Sequence, residues 1–426
     1  MRTTARRHDP EQPERRAPEA RAAHPLLALQ RGAGNHAVTQ WLARDPLLLV
    51  ADGKRQAIER LDPVPLAALY WQYKTRGPVG IGLDMGDRTQ RLTPEEAETL
   101  EPLVRERKEK VFTDFAAGRQ PLYAGMTGAA DPAARHTAIE ALSAYDAPLL
   151  PQLLAMRDAM GKTWDVDDAA ARDAVLAAIQ LQAATEAIGE LTGNTATIRT
   201  RVQNASGMGA NDDWCGFYSA DHYVRAKMDE DLRAGFMHTI DVEGFFTYHS
   251  RDDLPDRVKR WVWNGTAWQS LHDFHAARGA LRTWLTEEQV VSGGVLDIRP
   301  GDTVLLDWSA DGGPADHIAQ VAAYDPGTST LISIGGNDSG YTVRPKGAPA
   351  PPADDKRQAA EQATGLELYK PGGDYHVALG THSVTAVAGK PRGIVYGIGR
   401  PSLVDFEEHV YAAKPLNKPP PPLKTH

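Results

Sequence analysis

The sequence predicts an α+β protein in which a mainly helical region precedes a domain built from a helix packed on an antiparallel sheet. Three observations carry that expectation. Residues 46–200 read mostly as helix, with apolar residues at helical spacing and helix-starting signals between them. Residues 300–339 hold three short apolar runs separated by Gly, Asp, Ser and Pro, the pattern of an antiparallel meander. Between these regions, Asn211, Asp212 and Asp213 precede a segment with few helix breakers that carries Phe217, Tyr218, Val224 and Met228. At 426 residues the chain exceeds what one hydrophobic core usually organises, so two or three units are expected.

Taken in order, residues 1–23 are rich in Arg, Glu, Pro and Ala and read as a disordered leader. Residues 24–45 form two short amphipathic turns. Leu26, Leu27 and Leu29 lie on one side of a Gly32/Gly34 break, and Val38, Trp41 and Leu42 lie on the other. Such a segment either docks on its own protein or serves as a partner-binding peptide. In the helical domain, 46–200, Leu66, Leu69, Tyr70 and Tyr73 keep helical spacing, and Thr93-Pro94-Glu95-Glu96 is a capping box. Pro102 is expected to kink or restart that helix before it reaches Phe115, and Pro148 and Pro151 to divide the next one. Asp167 or Asp168 caps an Ala-rich helix that ends near Gly193, and a small bundle is the expected product. Residues 201–412 form the sheet-bearing domain. It includes a hairpin from Trp261 to Trp268 with Asn264-Gly265 as its turn, and a Pro-rich surface insertion at 345–355. The tail, 413–426, reads as polyproline.

Cys215 is the only cysteine, so neither an internal disulfide nor a four-cysteine zinc site is open to the chain. The thiol is either a small buried hydrophobe or a nucleophile. Its place in the first turn of a helix favours a thiolate. His317 opens the second run of the meander and Asn337 closes the third, and adjacent antiparallel strands bring such ends together. The result is a Cys-His-Asn arrangement of Cys215, His317 and Asn337. Other candidates reduce to structure: His272 and His275 lack a second ligand pair, and His222 points about half a turn away from Cys215 on the same helix. Asp307, Asp311 and Asp316 do not match a calcium loop. The aromatic residues Trp261, Trp263, Trp268 and Trp284 read as core before they read as a groove.

The segment from Asn211 to Pro401 resembles the cysteine, histidine-dependent amidohydrolase/peptidase (CHAP) domains, relatives of the NlpC-type peptidases within the papain-like fold. The resemblance rests on Trp214-Cys-Gly-Phe217, Gly301-Asp302 leading to Asp307-Trp308, Asp316-His-Ile-Ala-Gln-Val321, the Ile334-Gly-Gly-Asn-Asp338 turn, and the strand Ile394 to Pro401. It implies Cys215 as nucleophile, His317 as general base and Asn337 as the orienting residue, with no metal and no organic cofactor. The chain departs from the family at Gly335, where many members carry Glu, so the orienting role falls on Asn337 or on Asp338. One oxyanion donor is the backbone N–H of Cys215, while Asn211 and Gln203 are alternatives for the second. Trp214 and Trp308 are expected to line the substrate groove. The implied reaction is hydrolysis of peptidoglycan amide bonds. A protease or deamidase acting on host protein, and a non-catalytic binding protein on the same scaffold, are the alternatives.

A net charge of −9 argues against a general nucleic-acid or anionic-membrane binder. No apolar run is long enough for a membrane span, and no signal peptide is visible, so synthesis in the cytoplasm is expected. The phrase Leu29-Gln-Arg-x-x-Gly-Asn-x-Ala-Val-x-x-Trp-Leu42, within residues 24–44, resembles a short N-terminal segment of proteins associated with bacterial extracellular contractile injection systems. That resemblance implies loading into, or association with, a phage-tail-like particle. It offers a route out for an enzyme without a secretion signal.

Overall fold

Pro102 and Pro121 both lie inside a single unbroken helix, which shows how far packing overrides local breakers here. The computed structural model describes residues 46–86, 88–207, 213–248, 260–292, 297–310, 313–372, 376–385 and 393–412. The leader, the 24–45 segment, the tail from 413 and Asn211 lie outside the described residues.

Helices α1 (Pro46–Arg60), α2 (Pro63–Arg76), α3 (Pro94–Thr127), α4 (Pro132–Ala159) and α5 (Ala169–Gly189) make up the first part of the chain. A short hairpin, β1 (Gly82–Asp84) with β2 (Thr89–Arg91), joins α2 to α3 and was not foreseen in the sequence. Thr93 and Glu96 form the expected capping box, with the Glu96 carboxylate accepting from the Thr93 N–H at 2.9 Å. Pro148 and Pro151 likewise sit inside an unbroken α4, against expectation. An internal proline costs a helix about 3 kcal/mol, and the buried stripe of Leu142, Leu150, Leu153 and Met156 more than offsets it. Asp168 caps α5 by accepting from the Ala171 N–H at 2.7 Å.

Helix α5 belongs to both halves of the protein. Its alanines allow close approach, and it packs on α3 and α4 as well as on the helix that begins at Cys215 and on the central sheet. One buried apolar cluster runs from Ile58, Phe112 and Val175 to Phe236, Phe246, Ile318 and Phe406. Gln180 of α5 also donates to Asp302 at 2.8 Å, and Asp302 is held by Arg400. The helical part is therefore one wall of the sheet's core.

After α6 (Thr195–Ser206) come α7 (Cys215–Arg225) and α8 (Thr239–Thr247). Strands β3 (Trp261–Trp263) and β4 (Trp268–Ser270) pair as the expected hairpin, and β13 (Val410–Ala412) adds to its edge. The Asn264 N–H donates to the Ala267 carbonyl and Gly265 takes φ +100°, so the turn centres on Gly265-Thr266, one residue later than expected. Helix α9 (Leu271–Ala277), β5 (Thr283–Thr286) and α10 (Glu287–Val291) lead to the meander β6 (Thr303–Leu306), β7 (His317–Asp325) and β8 (Thr330–Asp338). The chain continues through β9 (Thr342–Val343), α11 (Asp355–Thr364), β10 (Leu368–Tyr369), β11 (His376–Ser383) and β12 (Val395–Arg400).

The main sheet has the order β11-β8-β7-β6-β12-β5 with every pair antiparallel, so the protein is α+β. One face, with Ile332, Ile334 and Leu379, packs against Trp214, Phe217 and Tyr218 at the start of α7. The other face gathers Val304, Leu306, Ala319, Val321, Leu331 and Ile398. Among the described residues no helix is long and apolar enough to cross a membrane.

Candidate active site

Cys215 is the first residue of α7, where the backbone N–H groups precede the first intrahelical bond, Tyr218 N–H to the Trp214 carbonyl at 2.8 Å. The helix can begin there because the next residue is glycine. A Cβ on Gly216 would lie 2.7 Å from Ile318 Cδ1 and would overlap the Phe236 carbonyl. Any side chain at 216 would push the helix start, and the thiol with it, away from β7. Cys215 is densely surrounded by protein yet still reached by solvent.

His317, buried at the first position of β7, is hydrogen-bonded to the Cys215 thiol. Its Nε2 has no hydrogen-bond partner and lies 3.6 Å from Asp338 Oδ2. Burial pushes the thiol up. The hydrogen bond and charge of His317, with the N–H groups of Ile318 and Gly216, outweigh it and hold the thiol below its usual value of 9.0. For His317, burial pushes the imidazole down, and the Cys215 thiolate followed by Asp338 and Asp213 carries it above its usual 6.5. The two groups favour each other's charged form, a thiolate beside an imidazolium.

The third member depends on an irregularity in β8. Extending the Gln320↔Ile334 register to the strand ends would set Asn337 opposite His317. Against β11, however, Gly335 pairs with Ala378 and Asp338 with His376, so three steps on β8 match two on β11. Asn337 absorbs the extra residue at φ +61°. Its amide donates to Asp213 Oδ1 at 2.9 Å. Asp338 follows Gly335 on the face that looks at His317. Gly335 itself leaves the room needed, since a Cβ there would stand 2.8 Å from His317 Nε2. Asp338 thus sits beside His317, where the sequence places Asn337 first and Asp338 second.

Trp308 packs on His317 with ring centroids 5.6 Å apart and remains 46% exposed, so it covers the imidazole and faces solvent. Trp214 is turned the other way, contrary to its expected place in a groove. It is fully buried, edge-on to Tyr218 at 5.7 Å, in a space that the missing side chain of Gly336 leaves open. It walls the core behind the thiol. Gln203 is buried on α6, while Asn211 lies outside the described residues.

The other histidines weighed from the sequence, His222, His275 and His272, lie away from this cluster. His222 is buried with Nδ1 2.9 Å from the Tyr218 carbonyl and Nε2 3.4 Å from Glu190. His275 lies 2.6 Å from the Tyr248 hydroxyl and is pushed down to about 3 by burial, whereas His272 sits outside beside Asp273. Among the described residues no group of three or more His, Cys, Asp or Glu is placed to hold a metal ion. Sequence reasoning missed Ser333 and His382, which lie beside this cluster on β8 and β11. Their contact joins residues far apart in the chain and carries no local signal. No family model, curated protein or solved structure matches the chain.

Proposed function

We propose that the chain is a cysteine amidohydrolase or peptidase of papain-like architecture, with Cys215 as nucleophile, His317 as general acid–base and Asp338 as the residue that orients the imidazole. One observation carries the reading: a half-buried cysteine at a helix start is hydrogen-bonded to a histidine whose Nε2 faces a buried carboxylate. A scaffold that only binds has no need of all three.

In this reading the Cys215 thiolate adds to an amide carbonyl carbon, and the oxyanion forms beside the N–H groups at the start of α7. Collapse breaks the C–N bond. His317 gives its proton to the leaving amine, and a thioester remains on Cys215. The neutral imidazole then takes a proton from water as the oxygen attacks the thioester. The C–S bond breaks, which frees a carboxylic acid and restores the thiolate and imidazolium. Asp338 holds the ring through both steps, and Trp308 shields it from bulk water while offering its outer face to substrate.

The resemblance to CHAP and NlpC-type domains favours peptidoglycan amide bonds as the substrate, reached through a contractile injection particle that recognises residues 24–44. The protein-substrate reading draws on the acidic charge and on the exposed Asp213 and Asp316 beside the site, which suit a cationic peptide better than an anionic wall. Digestion of purified peptidoglycan by the wild type and by Cys215→Ala, with fragments read by mass spectrometry, separates the two. Cys215-dependent release of new amine termini supports the wall reading. No release, from a protein whose thiol still alkylates fast, moves the substrate to protein.

A further inference from the structure

The second face of the sheet carries a buried serine–histidine pair that the proposed chemistry does not use. Ser333 on β8 and His382 on β11 are both buried, with Oγ and Nε2 2.8 Å apart. The strand register sets Gly380 directly opposite Ser333. A Cβ at 380 would stand 2.8 Å from Ser333 Oγ and would run into His382 Nε2, so β11 leaves this space for the pair.

The His382 ring meets Trp308 at 5.3 Å, and the same indole lies on His317 at 5.6 Å. Trp308 therefore rests on two imidazoles, one reactive and one fixed by Ser333. Its backbone is pinned as well: its N–H donates to Asp316 at 3.1 Å, and Asp307 holds the next turn by accepting from the Ala310 N–H at 2.9 Å. Burial, reinforced by the charge of His317, holds His382 down at about 3. It stays neutral and adds no charge against the imidazolium.

We infer that His382, fixed by Ser333, is a positioning residue that props Trp308 over His317 and so keeps the imidazole in line with the Cys215 thiol. The inference rests on the proposed roles of Cys215 and His317. What His382 supplies is a ring of the right size at the right place.

The test is the rate at which iodoacetamide alkylates Cys215 near neutral pH, a probe that needs no substrate and so is blind to any binding role of Trp308. The rate is compared in the wild type, His382→Ala, His382→Phe, Trp308→Ala and the double alanine variant, each with its thermal unfolding curve. His382→Ala and Trp308→Ala should each slow alkylation about tenfold or more, because misplacement of this order disrupts aligned groups. The double variant should be no slower than the worse single one, since both act through the same contact. His382→Phe, which keeps a ring against the indole, should alkylate at close to the wild-type rate. A wild-type rate in folded His382→Ala, or additive losses in the double variant, overturns the inference. A wild-type thiol no faster than free cysteine defeats the proposed chemistry as well, and that result is seen before any variant is compared.

Discussion

Arg282–Asp405 and His317–Asp338 are both buried pairs of opposite charge type, and they are finished to different degrees. Arg282 Nε lies 3.0 and 3.1 Å from the two Asp405 oxygens, Nη1 donates to the Phe245 carbonyl at 2.7 Å, and Nη2 donates to Asp405. Asp405 also accepts from the Ser402 N–H at 2.8 Å, and the guanidinium stacks on Phe245 at 3.5 Å. Each nitrogen of that guanidinium donates to a partner, and both Asp405 oxygens accept. At His317 the nearest carboxylate oxygen stands 3.6 Å away, and both Nε2 and Asp338 Oδ2 lack a hydrogen-bond partner. Saturation fixes a fold, because a buried group without a partner costs free energy. A gap of a few tenths of an ångström beside a thiol leaves room for a contact that tightens as charge develops. Under the proposed function, that difference is what separates a structural pair from a reactive one where burial alone does not.

Substitutions at the two pairs should give opposite signatures. The largest effect on turnover is expected from Cys215→Ala or His317→Ala, a loss on the order of 10⁶ in kcat with the fold retained, checked by hydrolysis of the identified substrate and by circular dichroism. Asp338→Asn keeps the shape and removes the charge, and should cost about 10² to 10⁴ in kcat. Asn337→Ala should cost less than about tenfold, because its amide serves Asp213. Equal losses at 337 and 338 would contradict the assignment drawn from the β8 bulge. Gly335→Ala should slow the reaction by about 10² by displacing the imidazole, while the melting temperature changes little, since only a ring end must shift. At the saturated pair the signature reverses. Asp405→Asn should cost about 3–5 kcal/mol of stability in denaturant titration, and the molecules that remain folded should alkylate at Cys215 as the wild type does.

Much of this was legible in the residues because the signals were local. The β6-β7-β8 meander followed from its punctuation, α7 from the run after Cys215, and the α3 capping box from Thr93 and Glu96. What failed depended on tertiary context. The helices through Pro102, Pro148 and Pro151 stay whole because packing on both sides outweighs a lost hydrogen bond. Trp214 and Trp308 look alike in sequence, and only the position of Gly336 shows that one faces inward. Asn337 was the natural partner for His317 by regular alternation, and a one-residue bulge passed that place to Asp338. Ser333 and His382 meet across paired strands, a contact that no window of sequence contains.

The most direct test of the account is the pH dependence of Cys215 alkylation in the wild type and in His317→Ala. Thiolate forms as pH rises through the Cys215 pKa, which the imidazolium holds below 9.0, and the pairing persists until pH passes the raised pKa of His317. The wild type should therefore reach its full rate at a lower pH than an ordinary thiol does. His317→Ala removes the partner and leaves burial to push the thiol up, so its curve should move to higher pH. Superimposable curves, both rising only around the value of an ordinary thiol, would contradict the thiolate–imidazolium pair on which the proposed function stands.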